Sequence, residues 1–332
     1  MMNNSDLKNS IAYYPGLDLL KFILALLIIA AHCEFAVEYP LLKDIIGKIT
    51  SVAVPLFFAM SSFLFIKRID SLEPPAQTVY LKKTIKRLFI LFICWYILMF
   101  PMTWQRFWRF ATIKESIYAV LLSCSLNGYW FIKALIVNTL LLFFCRSQKR
   151  LLLCLIISLV VYLFWSYNYV FGFVSVPFSP YYSFYYHTAY FCIGALLARY
   201  YDKFSLDIIP SLVLLGIYVT IFIASFFLPI DPLYRLFSIV LIFPLFERID
   251  IHSNNLVTLR KMSIILYMTQ FLLIWLYSLL CDNYLSRNSQ VYSIFQFSLA
   301  RYLIITIAAL GIARLILWLE NKPWLSFLKY LH

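Results

Sequence analysis

Apolar runs long enough to cross a bilayer recur along this chain, and few folds accommodate that. A membrane span needs roughly 20 apolar residues. Ten stretches meet or approach that length: about 17–38, 50–67, 84–104, 129–145, 150–166, 184–200, 207–228, 233–247, 261–281 and 299–318. The sixth is short and rich in tyrosine. Segment 112–126 is too brief to cross and reads as interfacial. The chain is 63% hydrophobic and 13% charged over 332 residues, more apolar surface than a soluble domain of that size can hide. Lipid is then the solvent for most of it. The expected fold is all-α: a polytopic membrane protein of about ten transmembrane helices, forming one domain over 1–332 with polar tails at 1–15 and 320–332. No internal repeat or long linker divides it.

Basic residues set the orientation. If the N-terminus is inside, the inner segments carry Lys8, then Lys67, Arg68, Lys82, Lys83, Lys86 and Arg87, then Arg146, Lys149 and Arg150, then Arg199 and Lys203, then Arg248, Arg260 and Lys261, then Lys322 and Lys329. The outer segments carry only Lys43, Lys48, Arg106, Arg109, Lys114 and Arg287. Loops rich in Lys and Arg face the cytoplasm, so both termini are expected there. The net charge of +13 then speaks for inner loops and membrane lipids rather than nucleic acid.

Several chemistries are disfavoured by composition. Seven glycines leave little room for Gly-rich phosphate loops. The seven cysteines form no CxxC pair and read as small buried hydrophobes. The four histidines show no metal-ligand spacing, so neither a metal nor a bound cofactor is expected. The first apolar run follows a polar tail of about fifteen residues and lacks a small-residue cleavage site, unlike a signal peptide.

The first run, GLDLLKFILALLIIAAHCEF at 16–35, keeps four ionisable groups: Asp18, Lys21, His32 and Glu34. A charge within a span is costly and marks a candidate site. At about 100° per residue, Lys21 and His32 are only about 20° apart around the helix and about 16 Å apart along it. One stripe therefore joins a cation near the inner surface to an imidazole in the outer half. A neutral, buried imidazole can take a proton from an attacking hydroxyl. The plainer alternatives are a snorkelling lysine and a histidine bonded to a neighbouring helix. Asp18 is one turn from Lys21 and suits a local ion pair. Glu34 points elsewhere.

With these residues in view, the run GLDLLKFILALLIIAAH resembles the opening helix of the acyltransferase-3 family of integral membrane acyltransferases. That family begins with an Arg-x-Leu-Asp-x-Leu-Arg run followed eleven residues later by histidine. Leu17, Asp18 and Leu20 match, Lys21 replaces the second arginine, His32 stands at the histidine, and Pro15 stands at the first arginine. VPLFFAMSSFLF (54–65) is similar to the Pro-Leu-Phe-Phe…Ser-Gly-Phe block, with Ser61 matching and Ser62 at the glycine. LKKTIKRLFILF (81–92) resembles the basic start of the third helix. NGYWFIKAL (127–135) resembles the Leu-Trp-Phe block through Trp130 and Phe131. MSIILYMTQFLL (262–273) resembles the Ser-x-x-x-Tyr-Leu-x-His block, with Ser263 and Tyr267 in place and Gln270 at the histidine.

The resemblance implies transfer of an acyl group, commonly acetyl, from cytoplasmic acyl-CoA to a hydroxyl of a cell-surface or lipid-linked glycan, at the plasma (inner) membrane. Acetyl-CoA is then a co-substrate and the glycan the acceptor. His32 is the expected base. Lys21, Lys83, Lys86 and Arg87 are expected to bind the acyl-CoA phosphates, though such cations also attract anionic lipid headgroups. The pantetheine arm is expected to follow the Lys21–His32 stripe. Asp18, Ser61, Trp130 and Tyr267 are candidates for positioning or acceptor binding: Ser61 as an oxyanion donor or packing residue, Trp130 and Tyr129 as a cover or as belt aromatics. Lys133 is a candidate contact for an anionic acceptor or a snorkelling residue. Two other classes fit less well: a carrier or flippase for a lipid-linked saccharide, disfavoured by the lack of mid-span carboxylates, and an acyltransferase-like binding protein without chemistry.

Overall fold

A computed structural model describes residues 14–100, 102, 112, 130–174, 180–200, 208–247, 249, 255–284 and 290–332. Tyr129, the segment 113–126 and the cations Lys8, Arg106, Arg109, Lys114, Lys203, Arg248 and Arg287 lie outside the described residues, as do Cys124 and His252.

Every expected span contains a helix, and no strand occurs among the described residues. The helices are α1 Pro15–His32, α2 Pro40–Ser51, α3 Ala53–Asp70, α4 Pro74–Leu98, α5 Trp130–Phe144 and α6 Gln148–Phe171. There follow α7 Phe184–Tyr200, α8 Ile208–Ala224, α9 Asp231–Glu247, α10 Asn255–Tyr284, α11 Gln290–Gln296 and α12 Ser298–Leu319. Short 3-10 helices cover Pro180–Tyr182 and Pro323–Leu331. Among the described residues, five stretches are long and apolar enough to cross a membrane: Pro15–His32, Pro40–Asp70, Gln148–Phe171, Asn255–Asn283 and Ser298–Leu319. Two shorter helices, Trp130–Phe144 and Leu212–Ala224, are also apolar.

Two boundaries and one additional helix stand out against the sequence reading. The expected span 17–38 stops at His32, because the chain turns there with Glu34 (φ 52°) and Ala36 (φ 65°) in the left-handed region. Helix α4 begins at Pro74 rather than 84. Prolines suit the first helical turn, and the polar, basic start of α4 stays helical without being apolar. Helix α2 is amphipathic and carries Lys43, Asp44 and Lys48, so apolarity alone gives no warning of it.

Helix α7 packs most extensively on α3, and α1 on α10, with α12 behind α10 and α5 against α7. Close approach has a visible device at the α3–α7 crossing. A Cβ on Gly194 would overlap the Ala59 carbonyl and the Ser62 hydroxyl. With a serine at 62, Gly194 on the facing helix supplies the room for this crossing. Gly16 likewise presses α1 onto the Phe246 carbonyl of α9. The free cysteines Cys33, Cys192 and Cys281 are buried, and Cys94, Cys145 and Cys154 partly so.

Candidate active site

Helix α1 buries the face that carries the expected stripe. Leu17, Leu24, Ala25 and Ile28 are buried on that side, because the facing surface of α10 is apolar and Ala25 packs with Leu266. Lys21 and His32 mark its two ends. Ala25 and Ile28 lie within about 40° of the line joining them and are 0% and 4% exposed. The stripe is therefore closely packed between its charged ends.

At the N-terminal end, Asp18 is 3% exposed and pairs with Lys21 at 3.4 Å and with Arg260 of α10 at 3.7 Å. Arg87 also lies within electrostatic reach of the Lys21 ammonium. Its guanidinium donates to the His332 carbonyl at 3.4 Å, while the indole Nε1 of Trp95 donates to the Leu331 carbonyl at 3.1 Å. The C-terminal 3-10 helix is thereby held along α4. Lys21, Arg87 and Asp18 are thus brought together, with Arg260 added. Lys83 and Lys86 are exposed on α4 and take no part in this cluster.

At the other end, His32 closes α1 and retains exposed surface. Its ring rests on Phe271 of α10, centroids 4.6 Å apart and tilted by 56°. It forms no hydrogen bond with any described residue, so no bond joins it to Tyr267. The turn that follows is pinned by α12. The Ser298 hydroxyl accepts from the Ala36 amide at 2.8 Å, and the Ser298 amide donates to Glu38 at 2.6 Å. The Ser298 hydroxyl donates to Glu38. Arg301 donates to the Cys33 carbonyl and approaches Glu34 at 3.5 Å. Burial alone would raise the Glu38 carboxyl, but the bonds from Ser298, with Arg301 nearby, outweigh it and hold Glu38 below its ordinary value.

The aromatic candidates form a wall leading toward His32. Tyr267 touches Phe131, 5.1 Å between centroids, and Phe57 at 6.4 Å. It lies one turn from Phe271 on α10, so the two share a face. Trp130 is at the far end of the wall, stacked on His187 at 4.8 Å. Phe58 also stacks on that ring at 4.7 Å. His187 is fully buried. Its Nε2 is 2.7 Å from the Tyr181 carbonyl, so Nε2 carries the proton, and its Nδ1 has no partner. Ser61 donates to the Phe57 carbonyl of its own helix at 2.8 Å, and Lys133 sits over the Phe92 ring at 5.8 Å.

Sequence reasoning missed roles for His187, Arg235 and Arg260. The signal for the first two was available: each is an ionisable group inside an expected span. Arg260 had none, since its partner Asp18 lies on the first helix.

A family model described as an acyltransferase domain, that of the acyltransferase-3 family, matches residues 14–318. No curated protein and no solved structure matches the chain.

Proposed function

This chain belongs to the acyltransferase-3 family, and on that premise we propose that it is an integral O-acyltransferase of the plasma membrane, moving an acetyl group from cytoplasmic acetyl-CoA to a hydroxyl of a cell-surface or lipid-linked glycan. The observation that carries this reading is α1 itself. A cation cluster anchors one end of its bundle-facing stripe, and an imidazole without a hydrogen bond to any described residue marks the other.

Lys21, Arg87 and Arg260 attract the phosphate-rich head of the donor, and Asp18 fixes Lys21 while offsetting part of the charge. The exposed Lys83 and Lys86 draw the same anion by longer-range attraction. Because Ala25, Ile28 and Leu266 are closely packed, this route requires α1 and α10 to part at those residues for the thioester to reach the outer half of α1. There the acceptor hydroxyl attacks the thioester carbonyl carbon while a ring nitrogen of His32 takes its proton. The C–O bond forms, the C–S bond breaks, and the departing thiolate receives the proton as free CoA. Phe271 packs against the tilted imidazole and keeps it beside α10. Tyr267 and Trp130 line the wall along which the acceptor sugar stacks, and Ser61 supports that wall by bracing Phe57.

The test is a deletion strain restored with wild-type or His32→Ala protein, with surface-glycan acetylation measured and membrane insertion checked by immunoblot. Loss of a general base costs about 10²–10⁴-fold, so acetylation is expected to vanish in the inserted variant. Acetylation at the wild-type level would overturn the proposal.

A further inference from the structure

A cleft of about 590 Å³ opens beside the C-terminal end of α1, between α2 and the start of α9. Ala30 and Ala31 line it, roughly 160° and 100° around α1 from His32, so the cleft and the imidazole occupy different sides of the same helix end. Its charged walls are Glu34, Lys43, Asp44, Lys48, Asp231 and Arg235. Some of these already have answers. Lys48 pairs with Asp231 and donates to the Ser225 carbonyl at 2.7 Å. Glu34 faces Arg301.

Arg235 has no such answer. Its Nε is buried without a hydrogen-bond partner, and its guanidinium forms no ion pair with any described residue. The phenols of Tyr162, Tyr181, Tyr186 and Tyr190 surround it within electrostatic reach. Phenols give a polar collar but no compensating charge. A half-buried guanidinium that forms no ion pair with the carboxylates of its own cleft, the nearest of which along the helix, Asp231, is held by Lys48, is open to an anion from outside and marks a candidate binding function in a membrane domain. A guanidinium is shaped for two-point contact with a planar oxyanion.

We propose that Arg235 holds the carboxylate of an acidic sugar in the acceptor saccharide. The remaining charges of the cleft decide between carboxylate and phosphate. Lys43 and Lys48 stand against Glu34, Asp44 and Asp231, so the site apart from Arg235 is slightly negative. A single negative charge suits it better than the double charge of a phosphate monoester. Phe35 and Phe226 supply apolar faces for the sugar ring in the same cleft. This names the acceptor class for the acyltransferase reading, although the binding itself does not depend on acyl transfer.

The test uses the full chain purified in lipid nanodiscs, with binding of methyl β-D-glucuronide, methyl β-D-glucoside and glucose 6-phosphate compared by calorimetry. The glucuronide is expected to bind about tenfold or more tightly than the glucoside, as a charge-assisted bidentate pair requires. Arg235→Gln removes that preference, and Arg235→Lys, which keeps charge without the fork, retains part of it. Equal binding of glucuronide and glucoside overturns the proposal, as does an undiminished preference in folded Arg235→Gln. Should Arg235→Gln not fold, an undiminished preference in Arg235→Lys overturns it instead. Tighter binding of the sugar phosphate overturns the carboxylate assignment. Glucuronide binding is read without any acyl donor present. A protein that acetylates glycan but shows no glucuronide preference therefore sinks this proposal alone, and the reverse result sinks only the catalytic one.

Discussion

Asp18 concentrates the electrostatics of α1 in one carboxylate, buried against two cations. Asp18→Asn leaves Lys21 and Arg260 facing each other without an anion. Removing one partner of a buried pair costs about 3–5 kcal/mol, discounted here because Arg260 is half exposed, so a loss of about 2 kcal/mol is expected in thermal unfolding. Adding Lys21→Met should recover part of that loss, and strictly additive effects would refute the coupling. Gly194 offers a steric counterpart. Gly194→Ala drives a methyl into the Ala59 carbonyl, with an expected cost of about 1–3 kcal/mol from overpacking. Ser62→Gly should not rescue it, because the backbone carbonyl remains in the way. At this scale the sequence was readable where partners share a helix, as for Asp18, Lys21 and His32. It was opaque for Arg260, whose partner Asp18 lies on the first helix.

The turn after α1 shows what element boundaries owe to distant contacts. Nothing local in CEFAVEY demands a break after His32, since it contains neither glycine nor proline. Two non-glycine residues adopt left-handed backbone there, a conformation that persists only when its surroundings enforce it. Ser298 and Arg301 of α12 provide that enforcement. Ser298→Ala is expected to cost about 1–3 kcal/mol, because the buried Ala36 amide loses its acceptor. It should also lower acetyl transfer by disturbing His32, whereas Ser278→Ala on the exposed side of α10 should change neither. Helices defined by apolar runs alone, such as α12 at Ser298–Leu319 for the expected 299–318, were legible because lipid and core impose the same hydrophobic requirement.

Across the whole molecule, charge separates into clusters that bind the helices together. Lys261 pairs with Glu320 at 2.8 Å, and His332 bonds the same carboxylate. Burial would raise the Glu320 carboxyl, but bonds from His332 and Lys261 outweigh it and hold it below the ordinary 4.5. A depressed carboxyl contributes stability above its unfolded value and loses it as pH falls through the folded one. Melting temperature in detergent should therefore drop below pH 4.5, and Glu320→Gln should flatten that part of the profile. Orientation is open to direct measurement. A cysteine at Lys43 should react with an impermeant maleimide in intact cells, and one at Lys83 only after permeabilisation, each judged against the wild-type background. The reverse pattern would invert the topology.

Ser298 and Arg301 grip the chain just beyond His32 from more than 260 residues downstream. A ribosome delivers the N-terminal end first, so the imidazole stays unset through most of translation. Competence arrives only with the final long helix. On the proposed function, a chain lacking α12 would keep Lys21 and Arg260 beside Asp18 but leave His32 unaimed, and so would be spared from wasting acetyl groups on water.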